Sequence, residues 1–323
     1  MNKQTSRLLI HEEEKTPIVR KANFQKLAFD NYKLTILSDG SIPRHPIYPD
    51  FAPETSREVL EQLLLLNGRS IETIDLEINT VLIEIENKKI LLDVGLGKSN
   101  ENPDIGWLVD SLALSGVKPD EITDIIISHL HPDHIGGLYG LNNSINYPNA
   151  RIHLSELECT FWRNTQLSDF TESGIYHMDR EGLKQIIQMI PSMLEDFKHQ
   201  IEYIDFTKGL FGFLSFLPTP GHTPGMFSTK ICSDHQSVTY IADLAHHELI
   251  QFEHPEWSFS GDHNPKLAAE TRINLFHDFT NTQELVIGSH LPWPGIGRIN
   301  SSEGENRFDW NPYGPISEAK GIL

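Results

Sequence analysis

The sequence contains few cysteines and no long apolar run, and each absence limits what the chain can be. Its 323 residues include two cysteines, Cys159 and Cys232, which lie far apart and in no CxxC pattern. They predict reduced thiols rather than a disulfide framework. No stretch reaches the roughly 18 to 20 consecutive apolar residues of a membrane-spanning helix. We therefore expect a chain that works without a membrane.

Basic residues are also scarce. The 26 Lys and Arg residues are outnumbered by 45 Asp and Glu residues, for a formal net charge of −19. No run of Lys and Arg forms the basic patch of a nucleic-acid-binding protein. The balance excludes nucleic acid and anionic membrane surfaces as expected partners, but it permits a small neutral substrate. The polar segment Met1–Lys21 lacks the apolar core of a secretory signal, which predicts a cytoplasmic protein unless a leader has been removed.

Strands and helices are mixed along the chain without a repeat or a linker, which predicts one α/β domain with layered sheets and outer helices. We predict an N-terminal arm over residues 1–31 and a single domain over residues 32–323, with inserts near 41–75 and 160–200. The predicted strands are Tyr32–Ser38, Thr80–Glu86, Lys89–Val94, Ile122–Ile127, Arg151–Leu154, Leu214–Leu217, Ser237–Ile241 and Glu284–Ile287. The predicted helices are Glu54–Leu65, Gly106–Ser115, Glu156–Trp162, Arg180–His199 with a break at Pro191, and Asn264–Asp278.

Histidine is abundant, with 16 residues, and several follow predicted strands directly. Four largely apolar strands each end in a side chain that can bind a metal ion. These side chains are His129, His222, Asp243 and His290. Ligands at strand ends converge on one edge of a sheet, where a rigid scaffold can hold them.

The densest cluster is the segment His129–His134, which reads His-Leu-His-Pro-Asp-His. Imidazole nitrogens suit zinc, and an aspartate supplies an oxygen ligand. His129 and His131 are two residues apart, so in an extended segment they face the same side and can bind one metal. Asp133 and His134 follow a proline turn and would reach a second position. The alternative, a histidine-rich surface loop, does not account for the apolar strand before it or for the three ligands downstream.

This motif resembles the HxHxDH signature of the metallo-β-lactamase superfamily, and the resemblance extends from about residue 32 to residue 313. Four further features resemble the remaining motifs of that superfamily in order. They are Leu91–Gly95, Thr219–Gly225, Asp243 and His290. The resemblance implies the αβ/βα four-layer sandwich of that fold, in which helices flank two mixed β-sheets.

The resemblance also implies a ligand set for two Zn²⁺ ions per chain. His129, His131 and His222 would bind the first ion, and Asp133, His134 and His290 would bind the second. Asp243 would bridge the two ions. Asp93 resembles the aspartate that orients a ligand histidine from behind. Its alternative role is that of a turn residue before Gly95.

A narrower resemblance links the chain to the branch that includes methyl parathion hydrolase and some N-acyl-homoserine lactonases. Ser289–Arg298 resembles the HLPFPGxG ending of that branch, and His246, three residues after Asp243, fits it too. Ala242 departs from the pattern, because the family usually has glycine there. The resemblance implies a homodimer.

The implied function is a metal-dependent hydrolase, a lactonase or esterase that uses a metal-bridging hydroxide. N-acyl-homoserine lactones, and hence quorum quenching, are the favoured substrate class. Asp133 is the expected proton carrier, and His246 is a second candidate catalytic residue whose alternative is a surface histidine. An organophosphate triesterase or an aryl esterase remains the alternative, because a carbonyl and a phosphoryl group present similar oxygens to the same site.

Other classes known for this superfamily fit less well. A β-lactamase resemblance stops at the ligands, and a nuclease would need basic surface. A redox member with one iron, or with a flavin domain, does not fit two intact ligand sets and no attached flavin-binding domain. A non-catalytic binding protein would be expected to lose ligands, and none is missing.

Overall fold

The computed structural model describes residues 21–30, 32–99 and 102–314. Its strands form two mixed sheets, one of seven strands in the order β1-β2-β3-β4-β5-β6-β7 and one of six in the order β13-β12-β11-β10-β9-β8. The strands are β1 Phe24–Phe29, β2 Tyr32–Arg44, β3 Ile74–Ile85, β4 Lys88–Leu92, β5 Asp124–Ile126, β6 Arg151–Leu154, β7 Ile201–Tyr203, β8 Leu214–Pro218, β9 Phe227–Cys232, β10 Ser237–Ala242, β11 Leu285–Gly288, β12 Ile296–Ser301 and β13 Phe308–Pro312.

Helices flank the two sheets. Within the described residues they are α1 Arg57–Leu66, α2 Leu108–Ser115, α3 Pro132–Ile135, α4 Glu156–Asn164, α5 Gly174–Met178, α6 Arg180–Asp196, α7 Ile250–Glu253 and α8 Pro265–Thr282. In the first sheet β1 to β4 pair antiparallel and β4 to β7 pair parallel. In the second sheet β10 and β11 pair parallel and the other pairs are antiparallel.

Side chains on opposite faces of each strand enter different cores, since successive residues of a strand point to opposite faces. On β3, Val81 and Ile83 pack against β8 to β10 between the two sheets, whereas Leu82 packs under the helices on the outer face. Phe276 of α8 packs on the outer face of the second sheet. The result is helix, sheet, sheet and helix, which confirms the predicted four-layer α/β architecture.

The segment from 41 to 75 differs in detail from the predicted insert. Its first residues extend β2 to Arg44, and its last two residues begin β3. Between them, Leu60 and Leu64 of α1 are buried in a small core with Phe51, Trp257 and other residues. This packing brings the segment against the loop that follows β10.

The N-terminal prediction falls partly outside the described residues, because residues 1–20 are not described. Of the remaining predicted arm, residues 24–29 form β1, the edge strand of the seven-stranded sheet. The break predicted at Pro191 is wrong, because α6 runs through it from Arg180 to Asp196. No helix among the described residues is both long enough and apolar enough to cross a membrane.

Candidate metal centre

The structure brings the seven predicted ligands together at one edge of the two sheets. The segment after β5 supplies His129 to His134, the turn between β8 and β9 supplies His222, and β10 and β11 lead to Asp243 and His290. Because β10 and β11 are parallel, their carboxyl ends lie on the same side. The sheets therefore place residues distant in sequence within reach of one another.

Three imidazole nitrogens and one carboxylate form the first group. His131 Nδ1 lies 3.1 Å from His129 Nε2 and 2.8 Å from His222 Nε2. Asp243 Oδ2 lies 3.2 Å from the same His222 nitrogen and 3.7 Å from His129 Nε2. These four residues could hold a metal ion, and nitrogen with carboxylate oxygen is a donor set that suits zinc.

Asp133, His134 and His290 form a second group that could hold an ion. His290 Nε2 lies 3.4 Å from Asp133 Oδ2, and His134 Nε2 lies 3.9 Å from Asp133 Oδ1. Asp243 reaches this group as well, with Oδ1 3.0 Å from His134 Nε2 and Oδ2 3.1 Å from His290 Nε2. Asp243 thus approaches donor atoms of both groups, as expected for a bridging carboxylate.

Hydrogen bonds from behind orient four of the five predicted histidine ligands. His134 Nδ1 lies 2.7 Å from Asp93 Oδ2, and His222 Nδ1 lies 2.8 Å from Asp262 Oδ1. His290 Nδ1 donates to the backbone oxygen of Glu77, and His129 Nδ1 contacts the Ser128 hydroxyl. A partner on the far nitrogen fixes the ring and its tautomer, so that the other nitrogen faces the centre.

The Asp93 carboxylate accepts several hydrogen bonds, so the residue does more than form the turn before Gly95. It accepts hydrogen bonds from the backbone N–H and the hydroxyl of Ser128 and from the Tyr240 hydroxyl, besides its contact with His134. Its backbone has a φ of +58°, a left-handed conformation in which non-glycine residues are uncommon. The expectation that Asp93 stands behind a ligand histidine agrees with this geometry.

Glycine is required where the motif segment passes the strand end after β4. A Cβ on Gly136 would lie 2.1 Å from the Leu96 carbonyl oxygen, and one on Gly137 would lie 1.8 Å from that of Val94. Ala242, where the family usually has glycine, has a φ of +47°. That positive φ explains the usual glycine, and the alanine carries a local backbone cost of about 1 kcal/mol.

The cluster contains buried polar atoms without partners, and these test whether a metal fits. Within the described residues, His134 Nε2 and Asp243 Oδ1 are buried and make no hydrogen bond of acceptable geometry, although they lie 3.0 Å apart. Buried polar groups are normally satisfied. Unsatisfied donor atoms that converge with other nitrogens and carboxylates are what a cation would occupy, so the residues fit a divalent metal ion.

Burial and neighbouring charges lower the pKa of some residues of the cluster and raise the pKa of others. Burial lowers the pKa of His129 and His131 well below the usual range, with the neighbouring imidazoles acting in the same direction. Burial also acts on His222, but Asp243 and Asp262 outweigh it and raise its pKa to about 9. Burial would raise the pKa of Asp243, yet the surrounding histidines hold it well below its usual range. Neutral imidazoles and ionised carboxylates are the forms that bind metals, so a metal ion held by His222 would displace a proton from that ring.

His246 is buried, with 1 % of its surface exposed, so the surface alternative is wrong. Its ring stacks on Phe259 at a centroid distance of 4.1 Å and on His290 at 5.2 Å. Its Nε2 lies 3.3 Å from Asp243 Oδ2, and neither ring nitrogen makes a hydrogen bond within the described residues. Burial lowers its pKa to about 4, so the ring is neutral at pH 7.

Sequence reasoning missed two buried carboxylates beside the cluster. Asp262 supports His222 from 40 positions away, and Glu158 contacts the segments on both sides of the first group. Neither belongs to a motif, and in the sequence Glu158 is only one of the two glutamates in the first turn of α4. Their complete burial, 0 % and 1 % exposed, is the signal, and only the fold reveals it.

A cavity of about 220 Å³ opens beside the second group. Its lining residues are Arg69, Ser70, Thr73, Ile74, Asp75, Glu77, His246, His247, Glu248, His290 and Pro292. On the side of the first group, the Trp162 ring contacts the His131 ring edge to face at 5.8 Å. The donor cluster is therefore flanked by this cavity on one side and by the buried Trp162 ring on the other.

Comparison with known proteins agrees with this geometry. Residues 73–290 match the family described as the metallo-beta-lactamase superfamily. The structure is similar to AidC, a dizinc quorum-quenching lactonase solved with a product, at 35 % identity and a TM-score of 0.86 over 91 % of this chain and 98 % of that chain. It is also similar to the hydrolase AbOPH of the beta lactamase superfamily, at 27 % identity and a TM-score of 0.80 over 91 % of this chain and 99 % of that chain.

Among curated proteins, YobT of Bacillus subtilis (strain 168), itself uncharacterized, is 29 % identical over 152 residues, which are 47 % of this chain and 55 % of YobT. The chain thus spans about half the length of that relative. The match to the family covers about two thirds of the chain, and it includes the HxHxDH segment and the final histidine. The chain belongs to the metallo-beta-lactamase superfamily.

Proposed function

We propose that this chain is a dinuclear zinc hydrolase that opens lactone and ester bonds, with N-acyl-homoserine lactones as its substrates. The observation that carries the proposal is the pair of donor groups that share Asp243. The similarity over 91 % of the chain to a dizinc quorum-quenching lactonase supports the substrate class.

In this proposal each donor group holds one zinc ion. His129, His131 and His222 would hold the first ion, Asp133, His134 and His290 would hold the second, and Asp243 would serve both. When bound, two such ions polarise a carbonyl oxygen and lower the pKa of water toward 7. The donor atoms that lack partners within the described residues support this assignment.

Asp133 is the proposed proton carrier. Hydrolysis breaks the bond between the carbonyl carbon and the ring oxygen, and the released ring oxygen requires one proton. The Asp133 side chain is 20 % exposed, whereas those of His290 and Asp243 are 1 % and 2 % exposed. It therefore stands at the open side of the cluster, where it can accept a proton from the attacking water and return it to the leaving oxygen.

His246 is proposed to contact the reacting substrate as a neutral ring. Its pKa of about 4 leaves one N–H donor and one acceptor at pH 7. It lines the cavity beside His290, and the stack on Phe259 holds its plane. A neutral donor can hydrogen-bond a substrate oxygen without adding charge to the centre.

Proton release tests the substrate. A pH-stat would record acid formed when the zinc-loaded protein meets hexanoyl-homoserine lactone, because ring opening yields a carboxylic acid that ionises. We expect turnover above about 1 per second, within the usual range for enzymes. No release by a protein loaded with two zinc ions would reject the lactonase proposal, and aryl phosphate triesters and aryl esters would then be the substrates to assay.

We also propose that the chain forms a homodimer, as the branch resemblance implies. Sedimentation velocity of the zinc-loaded protein should give a single species of twice the chain mass of 36.7 kDa. A species of the chain mass alone at micromolar concentration would reject the dimer without affecting the proposed chemistry.

A further inference from the structure

Glu158 lies outside every motif, yet its carboxylate joins two of them. Oε1 accepts hydrogen bonds from the Leu130 backbone N–H at 3.1 Å and from the Trp162 indole at 2.8 Å. Oε2 accepts from the Thr223 hydroxyl and from the Gly225 backbone N–H, both at 2.8 Å. Four donors therefore saturate one buried carboxylate.

The positions of these donors are informative. Leu130 lies between His129 and His131, and Thr223 follows His222 directly. The three histidines of the first donor group are thus the residues next to the backbone and side-chain groups that Glu158 holds. The turn also packs tightly on α4, because a Cβ on Gly225 would lie 2.4 Å from the Glu158 backbone nitrogen.

Joining two segments through a buried carboxylate with neutral donors costs desolvation free energy, because burial disfavours the charged form. Ordinary apolar packing would stabilise the same contact. A carboxylate adds direction, because each oxygen accepts two hydrogen bonds and so fixes both segments relative to α4.

We propose that Glu158 is a positioning residue that sets the separation of His129 and His131 from His222 and thereby sets the metal affinity of the first donor group. This inference rests on the metal assignment made under the proposed function. Glu158 touches neither substrate nor metal, and it acts through the segments that it holds.

The substitution Glu158→Gln tests the proposal at nearly constant volume. The amide keeps one acceptor oxygen but places an NH₂ donor where the other oxygen was. The Thr223 hydroxyl can rotate to accept from that donor, whereas the Gly225 N–H cannot. At least one backbone link is therefore lost. Because loss of a group that supports metal ligands typically costs 10- to 100-fold in metal affinity, we expect that loss at the first group and wild-type affinity at the second.

Cadmium NMR separates the two positions without an activity assay. The first donor group has three imidazoles and the second has two, so bound cadmium should give two resonances, and Asp133→Asn should shift only the second. In Glu158→Gln, titration should leave the first resonance weak at cadmium concentrations that saturate the second. The control is Glu156→Gln, which removes the same charge from an exposed residue in the same turn of α4, and it should match wild type.

The outcomes of these titrations test the positioning role of Glu158 separately from the assignment of two metal sites. A wild-type protein without two cadmium resonances would reject the metal assignment itself. Two resonances with wild-type affinities in Glu158→Gln would reject the positioning role, and so would equal weakening of both positions. If Glu158→Gln does not fold, Thr223→Val decides, because it removes one of the four hydrogen bonds. It should weaken the first position alone by severalfold, and unchanged affinity there would overturn the proposal.

Discussion

At the scale of single residues, buried carboxylates hydrogen-bond to the ring nitrogens of the ligand histidines that face away from the centre. Asp93 and Asp262 each hold one imidazole by a hydrogen bond of 2.7 or 2.8 Å. Arg272, which is buried, lies 3.7 Å from Asp262 and donates to three backbone carbonyls of the loop after β10. The donor nitrogens of His134 and His222 are thus fixed through partners in neighbouring segments.

The proposed role of Asp133 as the proton carrier can be tested by replacing its carboxylate with an amide. Asp133→Asn keeps the size of the side chain and an oxygen that can bind a metal, but the amide cannot carry the proton. We expect the fold and the zinc content to be retained and kcat on hexanoyl-homoserine lactone to fall about 10²- to 10⁴-fold, the usual contribution of a positioned acid–base group. Proton release and metal content would be measured on the same preparation. A near-wild-type kcat with full metal would remove Asp133 from the proton path.

The motifs made most of these residues predictable from sequence. The segment His129–His134 was identified by its high density of potential metal ligands. His222, Asp243 and His290 were identified by their positions directly after apolar strands. Asp262 and Glu158 could not be predicted, because their contacts join positions 40 and 65 residues from their own. His246 was only partly predictable, since its burial depends on Phe259 and His290 closing over the ring.

At the scale of elements, the ligands at the strand ends are positioned by turns that pack closely against helices. The turn that carries His222 packs on the start of α8: the Asn264 and His263 backbone N–H groups donate to the carbonyls of Gly221 and His222. Gly221 has a φ of +133°, and a Cβ there would lie 2.3 Å from backbone atoms of Ala268. Only glycine allows this turn and this helix to approach so closely.

Paired alanine substitutions test that approach. Gly116→Ala, at a φ of +96° with no heavy atom within 4 Å of the added Cβ, should cost about 1 kcal/mol from backbone strain alone. Gly221→Ala should cost a further 1 to 3 kcal/mol, on the order expected for overpacking, because the turn must move from α8. Urea unfolding of the two zinc-loaded variants gives both values. Equal destabilisation would show that contact with α8 does not constrain the turn.

Length alone did not decide which strands were predictable, because the three-residue β5 was predicted and the six-residue β9 and β12 were not. The strands that correspond to β2, β3, β4 and β6 are apolar or alternating, whereas the three-residue β7 leaves little pattern to detect. Pro191 misled the prediction for α6 because a proline inside a helix costs about 3 kcal/mol on average. Here Ile190, Met193 and Leu194 are buried in the outer core, and that packing keeps the helix continuous.

At the scale of the whole molecule, the mixture of apolar strands and helices without a linker made a single α/β domain predictable, and the strands are buried in continuous runs, such as Asp124–Ile126. What the sequence does not encode locally is which strand ends meet. That depends on β10 and β11 running parallel and on the first sheet facing the second. The family resemblance supplied this information, since it carries the fold as a unit.

Metal removal should weaken the whole molecule, because Asp243 and its histidines link segments from both sheets. An ion that binds only the folded state stabilises it by about 2.7 kcal/mol at 100 times its Kd. Two such ions would contribute about 5 kcal/mol. At about 2 °C per kcal/mol, the lower end of the range for somewhat smaller domains, we expect a chelator to lower Tm by about 10 °C. Added zinc should restore Tm, as scanning calorimetry would show. A Tm indifferent to the chelator would mean that the cluster binds no ion in the folded protein.

The proposed chemistry requires one chain to hold two zinc ions in donor groups that share Asp243. Metal analysis of the purified chain, stripped with a chelator and then dialysed against zinc, measures that number. We expect two zinc ions per chain in the wild type and fewer than two in Asp243→Asn. One ion per chain in the wild type, or a single iron in the protein as isolated, would contradict it.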